Sequence, residues 1–281
     1  LKKETTHPRF KLKKRKNLFP LLLAGLCLMG GGHLLADEQN WVQFSILALV
    51  IACGVVIIYG FNDLKDLPFK HENNRKYLTK SPSYMFTLWL FVVVCIPFGL
   101  VVLSYFQISI IVMIGLLGTL YSMNVEIGSI LFHMKKVPFL KNLIIGICWG
   151  ALMLLGFGEM DSFEVKILFV FISLQISLGS AIRDIADLEE DRALNVRTVP
   201  VILGIQKQLW LSHIFNATTL AGLIFVPVGS LVYLVLISFV GFRFIHLLLL
   251  KRGFGNTLLT QQVNIGFCYL LFVMLLIGQL L

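Results

Sequence analysis

Hydrophobic positions in this chain come in solid runs of about 20 residues, separated by short polar segments. The runs predict helices at 18–36, 41–60, 84–104, 107–124, 140–158, 164–182, 209–227, 230–250 and 263–281. A helix of that length crosses the hydrocarbon core of a bilayer at 1.5 Å per residue. The pattern therefore predicts an all-α polytopic membrane protein with nine transmembrane helices. Residues 1–17 form a basic tail, and 18–281 form a single membrane domain with no room for a soluble one between the spans.

Composition sharpens this reading. Of 281 residues, 57% are hydrophobic and 14% charged, against about 25% charged in soluble domains. The formal charge of +9 is spread over short loops, which suits topology and contact with anionic lipid and excludes a nucleic-acid-binding face. Eight Lys and Arg lie in the tail through Lys16. Others follow the second, fourth, sixth and eighth runs: Lys65, Lys70, Arg75, Lys76 and Lys80; Lys135, Lys136 and Lys141; Arg183, Arg192, Arg197 and Lys207; Lys251 and Arg252. With nine crossings, all of these share the side of the N-terminus. By the positive-inside rule that side is the cytoplasm, and a bacterial cell membrane is the expected location. The tail and first run also resemble a signal peptide ending at His33-Leu34-Leu35-Ala36; its cleavage would leave eight spans on the same sides. The five cysteines sit in separate apolar runs and read as buried apolar residues, not metal ligands. Gly30-Gly31-Gly32 follows no strand and reads as a close-packing or bend site.

The acids carry the chemistry. Eight of the 15 Asp and Glu fall in two clusters at the ends of apolar helices. The first, Asn62 to Arg75, holds Asp63, Asp66 and Glu72; the second, Arg183 to Thr198, holds Asp184, Asp187, Glu189, Glu190 and Asp191. Acids at the mouths of apolar helices hold a cation or a proton path. Asp184, Asp187 and Asp191 are spaced i, i+3, i+7, and Asn62, Asp66 and Lys70 are spaced i, i+4, i+8, each set on roughly one helix face. Two such ends facing each other make an oxygen-rich bowl, which suits a hard cation such as Mg²⁺. The interspersed Lys65, Lys70, Arg75, Arg183, Arg192 and Arg197 could complete a diphosphate clamp. The bland alternative is a pair of solvated loops of mixed charge.

These residues resemble a family. The first cluster is similar to the NDxxDxxxD signature of the UbiA-type intramembrane prenyltransferases. The second is similar to their DxxDxxxD signature, running on into RTVPVILG. The resemblance spans nearly the whole chain, with one motif after the second helix and the other after the sixth. It implies helices packed around a central cavity, and transfer of a prenyl group from a prenyl diphosphate to a small-molecule acceptor within the bilayer. Mg²⁺ is the implied cofactor, with Asn62, Asp63, Asp66, Asp184, Asp187 and Asp191 as ligands. Arg75, Lys136 and Lys141 become phosphate or acceptor contacts, with Tyr121 and Arg192 beside them, and Asp66, Asp187 and Lys70 carry turnover. Arg243, inside the eighth run, either reaches the diphosphate or snorkels to the cytoplasmic surface. An aromatic quinone precursor is the expected acceptor. The chain departs from the pattern where Lys70 occupies the position of the third acid of the first motif. That departure admits a divergent, non-catalytic lipid-binding member. Membrane acids alone also admit a cation-coupled carrier, although carrier sites usually lie near the midplane on broken helices.

Overall fold

The computed structural model describes residues 18–36, 39–66, 82–127, 130–134, 137–160, 162–193, 196–223, 230–253 and 259–280. Among them, nine long helical segments follow one another. These are α1 (Phe19–Leu35), α2 (Trp41–Asp66), α3, α4 (Tyr105–Ser122), α5 (Leu140–Phe157), α6 (Phe163–Arg183), α9 (Ile205–Leu223), α10 (Ser230–Lys251) and α11 (Leu259–Leu280). Two short helices, α7 (Leu188–Ala193) and α8 (Val199–Leu203), lie between α6 and α9. Helix α3 begins as Pro82–Leu90, widens into a π turn at Phe91–Cys95 and continues as Ile96–Val102. Pro97 accounts for the widening: it has no N–H to donate, and its ring crowds the carbonyl four residues back, within the π turn.

Among the described residues, six helices are long and apolar enough to cross a membrane: Trp41–Gly60, Tyr84–Val102, Leu140–Phe157, Val165–Arg183, Val232–Lys251 and Gln262–Gln279. Phe19–Leu35 and Tyr105–Tyr121 are apolar but shorter. Helix α9 is the least apolar, because Gln206, Lys207, Gln208, Ser212, His213 and Asn216 interrupt it. Length and composition thus support six spans where the hydrophobic runs suggested nine. A small antiparallel hairpin, β1 (Asn124–Ile127) and β2 (Ile130–His133), stands between α4 and α5, with Asn124 opposite His133. It falls where the sequence suggested only a loop.

Helices α1 and α5 form the centre. Ala24, Leu28 and Met153 pack into one apolar cluster with α6, α10 and α11, while Met29, Ala151, Leu154 and Leu155 pack into a second with α2 and α4. The close approach depends on glycine. A Cβ at Gly32 would strike the Met153 carbonyl, and one at Gly156 would strike that of Met29. Gly32 is thus the close-packing residue expected of the triple-glycine segment. Helices α1 and α11 run parallel, since the Tyr269 hydroxyl donates to Pro20 O at 3.0 Å and Gln279 Nε2 donates to Leu34 O at 2.6 Å. At the end of the bundle remote from the acidic clusters, buried Gln107 ties three helices. Its Nε2 donates to Leu155 O at 3.0 Å, and its Oε1 accepts from Gln43 Nε2 at 2.7 Å.

Candidate active site

The second acidic cluster begins where α6 stops. Through Arg183 the helix is regular; Asp184 then donates its N–H to Ser180 O and Ala181 O, Ile185 to Ile182 O, and Ala186 to Arg183 O. These last are i to i+3 bonds, so the helix tightens into a 3₁₀-like turn before α7 restarts at Leu188. The continuous helix face expected for Asp184, Asp187 and Asp191 is therefore broken. The turn still gathers the acids: the Asp191 carboxyl feels the charges of Asp184 and Asp187, and both Asp184 and Asp191 feel Lys141.

Lys141 and Asn142 occupy the first turn of α5, which runs antiparallel to α6 and meets its end. The lysine Nζ lies 2.7 Å from Asp184 Oδ1, and Asn142 Nδ2 donates to Asp184 Oδ2 at 3.1 Å. Ser180 Oγ donates to Asn142 Oδ1 at 2.7 Å, which fixes the amide. Asp184 is 5% exposed. Burial holds its carboxyl above the usual carboxylate range, against the lowering pull of Lys141 and Asn142. Burial also raises Asp191, and the charges of Asp184 and Asp187 add to the rise while Lys141 opposes it. Among the described residues, Asp191 Oδ2 and the Thr198 hydroxyl have no partner at full hydrogen-bond geometry, although Thr198 is near enough to lower the Asp191 carboxyl.

The turn that launches α5 is strained. Phe139 takes φ 64° and ψ −38°, and Leu140 N donates across it to Pro138 O at 2.8 Å. This is the rare hand of γ-turn. A bulky residue there costs of order 1–3 kcal/mol, and such strain gathers at functional sites. Here it sets the direction in which Lys141 enters the acidic turn.

The first motif ends α2. The helix runs to Asp66, six residues past the expected span, so Asn62, Asp63 and Asp66 ride its last turns. Their side chains lie outside the described residues, as do Lys70, Arg75 and Lys136. One turn earlier, Tyr59 lies within electrostatic range of Arg183 and Cys148. That stretch of α2 therefore lies beside α5 and the end of α6. Tyr121 ends α4, half-buried.

The two expected arginine contacts have protein partners of their own. Arg192 is exposed and pairs with Glu189 at 3.1 Å, on the solvent side of α7. Arg243 is fully buried, its guanidinium 4.9 Å from the Phe239 ring centroid and bonded to Asn264 Oδ1. It does not snorkel to the surface, and its Nε and Nη1 have no hydrogen-bond partner among the described residues. Asn142, Ser180 and Tyr59 were not anticipated. A polar pair at the start of an apolar helix is the signal that could have found Asn142. Among the described residues, no three Asp, Glu, His or Cys form a ready-made metal cage.

The chain spans about half the length of the digeranylgeranylglyceryl phosphate synthase of Methanosarcina mazei that it matches: 33% identity over 147 residues, 47% of this chain and 48% of that protein. In fold it is similar to a UbiA homologue from Aeropyrum pernix K1, with TM-score 0.70 and 15% identity over 95% of this chain and 100% of that one. It is also similar to a UbiA homologue from Archaeoglobus fulgidus bound to GPP and Mg²⁺, with TM-score 0.67 and 12% identity over 93% and 97%. The model of the UbiA prenyltransferase family matches residues 18–277, and the chain with its two acidic helix ends belongs to that family.

Proposed function

We propose that this chain is an integral membrane prenyltransferase that joins the prenyl group of an allylic diphosphate to a hydroxyl of a glyceryl phosphate lipid. Its active face is cytoplasmic. The observation that carries this reading is the gathering of Lys141 and three carboxylates where α5 meets α6, with the first motif on the last turns of α2. The relatives' names favour a glyceryl phosphate acceptor over the aromatic quinone precursor expected from the sequence.

In the reaction the allylic C–O bond of the donor breaks, and its electron pair leaves with the diphosphate. The acceptor oxygen forms the new C–O bond and gives up its proton. Lys141 places positive charge where negative charge develops. The apolar walls keep water from the allylic carbon. Tyr121 and Arg243 are proposed further contacts, the latter because two of its N–H groups remain unpartnered in an apolar setting. Oxygen ligands, with an Asp191 Oδ2 that is buried and has no hydrogen-bond partner at full geometry among the described residues, fit a hard cation. Asp187 and Asp191, with Asn62 and Asp66 from α2, would hold Mg²⁺. Bound there, it would neutralise the departing diphosphate.

The parallel run of α1 and α11 supports an odd number of crossings, consistent with nine, and with the loop charges it supports a cytoplasmic N-terminus. The test is purified protein in nanodiscs with Mg²⁺ and geranyl, farnesyl or geranylgeranyl diphosphate. A prenylated glyceryl phosphate and an aromatic acid are offered as rival acceptors. Mass spectrometry should find an ether product and equimolar diphosphate with the first. Product with the aromatic acid alone overturns the acceptor; no diphosphate release with any donor overturns the enzyme.

A further inference from the structure

Asp184 is an odd candidate for a metal ligand. Both of its oxygens are already engaged by protein donors, Oδ1 by the Lys141 ammonium at 2.7 Å and Oδ2 by the Asn142 amide at 3.1 Å. The amide is held in turn by Ser180. The residue is 5% exposed, and only 14% of the lysine side chain reaches solvent. Mg²⁺ binds oxygen at about 2.0–2.1 Å. On Oδ1 it would sit beside the ammonium, and the two cations would repel each other across a poorly screening interior. Asp191 is less engaged: among the described residues its Oδ2 has no hydrogen-bond partner, and the Thr198 hydroxyl is the side-chain donor that lowers its carboxyl.

We propose that Asp184 is the positioning residue of Lys141, and that Lys141 is a fixed, protein-borne cation that receives a diphosphate. Metal binding is left to Asp187 and Asp191. The chain of contacts has a direction. Ser180 fixes the Asn142 amide, Asn142 and burial fix the Asp184 carboxylate, and the carboxylate fixes the ammonium. Lys141 acts electrostatically on Asp191 as well as on Asp184. It therefore stands inside the acidic turn, where an anion bridging the lysine and a metal would lie. A lysine on a four-carbon stem has many rotamers; a buried carboxylate removes most of that freedom before the anion arrives. That the anion is a prenyl diphosphate rests on the prenyl-transfer reading. The lysine–aspartate device does not.

Binding measurements separate the two. Inorganic diphosphate is titrated calorimetrically in EDTA, and Mn²⁺ binding without diphosphate is followed by electron paramagnetic resonance. Lys141→Met and Asp184→Asn should each weaken metal-free diphosphate binding by about tenfold, the loss of one charge-assisted hydrogen bond. The double variant should be no weaker than either single one, because both remove the same contact. Lys141→Arg should retain most of the affinity. Mn²⁺ affinity should shift only as the loss of one nearby charge requires, up in Lys141→Met and down in Asp184→Asn, and far less than in Asp191→Asn. A loss of Mn²⁺ affinity in Asp184→Asn as large as that in Asp191→Asn overturns the proposal, since it makes Asp184 a ligand. Undiminished diphosphate binding in Lys141→Met overturns it too. Should Asp184→Asn fail to fold, the two lysine variants decide alone. None of these readouts needs an acceptor or turnover, so absence of prenyl transfer would leave the result standing.

Discussion

Gly146 sits one turn along α5 from Asn142, on the face that meets α6. A Cβ there would collide with Ser177 Oγ and with the backbone carbonyl of Ser173. The serine hydroxyl can rotate away; the carbonyl cannot. Gly146→Ala must therefore push the helices apart, just below the contacts of Asn142 and Lys141 with Asp184. Overpacking of this kind costs about 1–3 kcal/mol, and the helical preference of Ala over Gly returns about 0.5–1 kcal/mol. The net should be a loss of about 0.5–2 kcal/mol. Gly115→Ala in α4 is the control, because nothing lies within 4 Å of its added methyl; it should gain the helical term alone. Unfolding of both variants in one detergent gives the order Gly115→Ala, wild type, Gly146→Ala. Displacing the α5 end should also raise the donor KM, since misplacement of about 1 Å can cost up to a hundredfold in rate. Adding Ser177→Ala should rescue only part, because the carbonyl clash remains. If Gly146→Ala proves as stable as Gly115→Ala with an unchanged donor KM, the α5–α6 spacing does not set the site.

Four further outcomes are expected. Asn142→Leu removes a hydrogen bond to a buried carboxylate and should destabilise by about 1.5–3 kcal/mol; denaturant titration showing no change would mean that Asp184 is satisfied without it. Burial holds Asp184 and Asp191 above the ordinary carboxyl value of 3.8, so the folded chain keeps protons that the unfolded chain has lost. In EDTA, stability should fall as pH rises from 3.8 through the folded values, and Mg²⁺ should flatten that fall; a rise over the same range in thermal melts would contradict the burial. Arg243→Met should fold as well as wild type or better, because an apolar isostere often replaces a buried charge at no cost or with a gain of about 1–4 kcal/mol, yet it should raise the KM of one substrate; steady-state kinetics with an unchanged KM would make Arg243 structural. Lys70→Ala should weaken donor binding by about tenfold, the loss of one charge-assisted hydrogen bond; wild-type affinity across a Mg²⁺ series would make it a solvated lysine.

Hydrophobic runs located the long helices because burial in lipid demands apolar residues at nearly every position of a span. Where the ends were misjudged, polar residues explain it. Helix α2 continues to Asp66 and α9 begins at Ile205, because a helix can pass through Asn62, Asp63, Lys207 or Gln208 once it leaves the hydrocarbon. The π turn in α3 had a visible cause in Pro97. The hairpin had one too, since Gly128-Ser129 between two short apolar-polar stretches is a turn signal. Both were masked by reading the segments for hydropathy alone.

The site was legible to a different depth. Spacing found the acids of the second motif, but it placed them on a helix that in fact stops at Arg183. Spacing along one segment carries no information about what lies opposite. The partner of Asp184 is 43 positions away, and nothing in the hydropathy of α5 marks Lys141 as inward-facing rather than solvated. Charge bookkeeping comes nearer. After Asp191 the chain has no Asp or Glu at all, so the buried guanidinium of Arg243 has no acid on its own or the neighbouring helices α9 and α11. Bases that face no fixed acid, beside acids that face a fixed base, divide this membrane domain. One half, α5 with α6, pairs Asp184 with Lys141 before any ligand arrives. The other, around α10 and α11, leaves a positive group waiting in an apolar setting, where an isolated charge is costly. An acceptor that carries a phosphate or a carboxylate could supply the missing charge there, whereas a neutral aromatic ring could not. The Arg243→Met variant therefore bears on acceptor chemistry: a rise in the KM of the phosphate-bearing acceptor, with the donor KM unchanged, would place the acceptor phosphate at Arg243, and the reverse pattern would return Arg243 to the diphosphate.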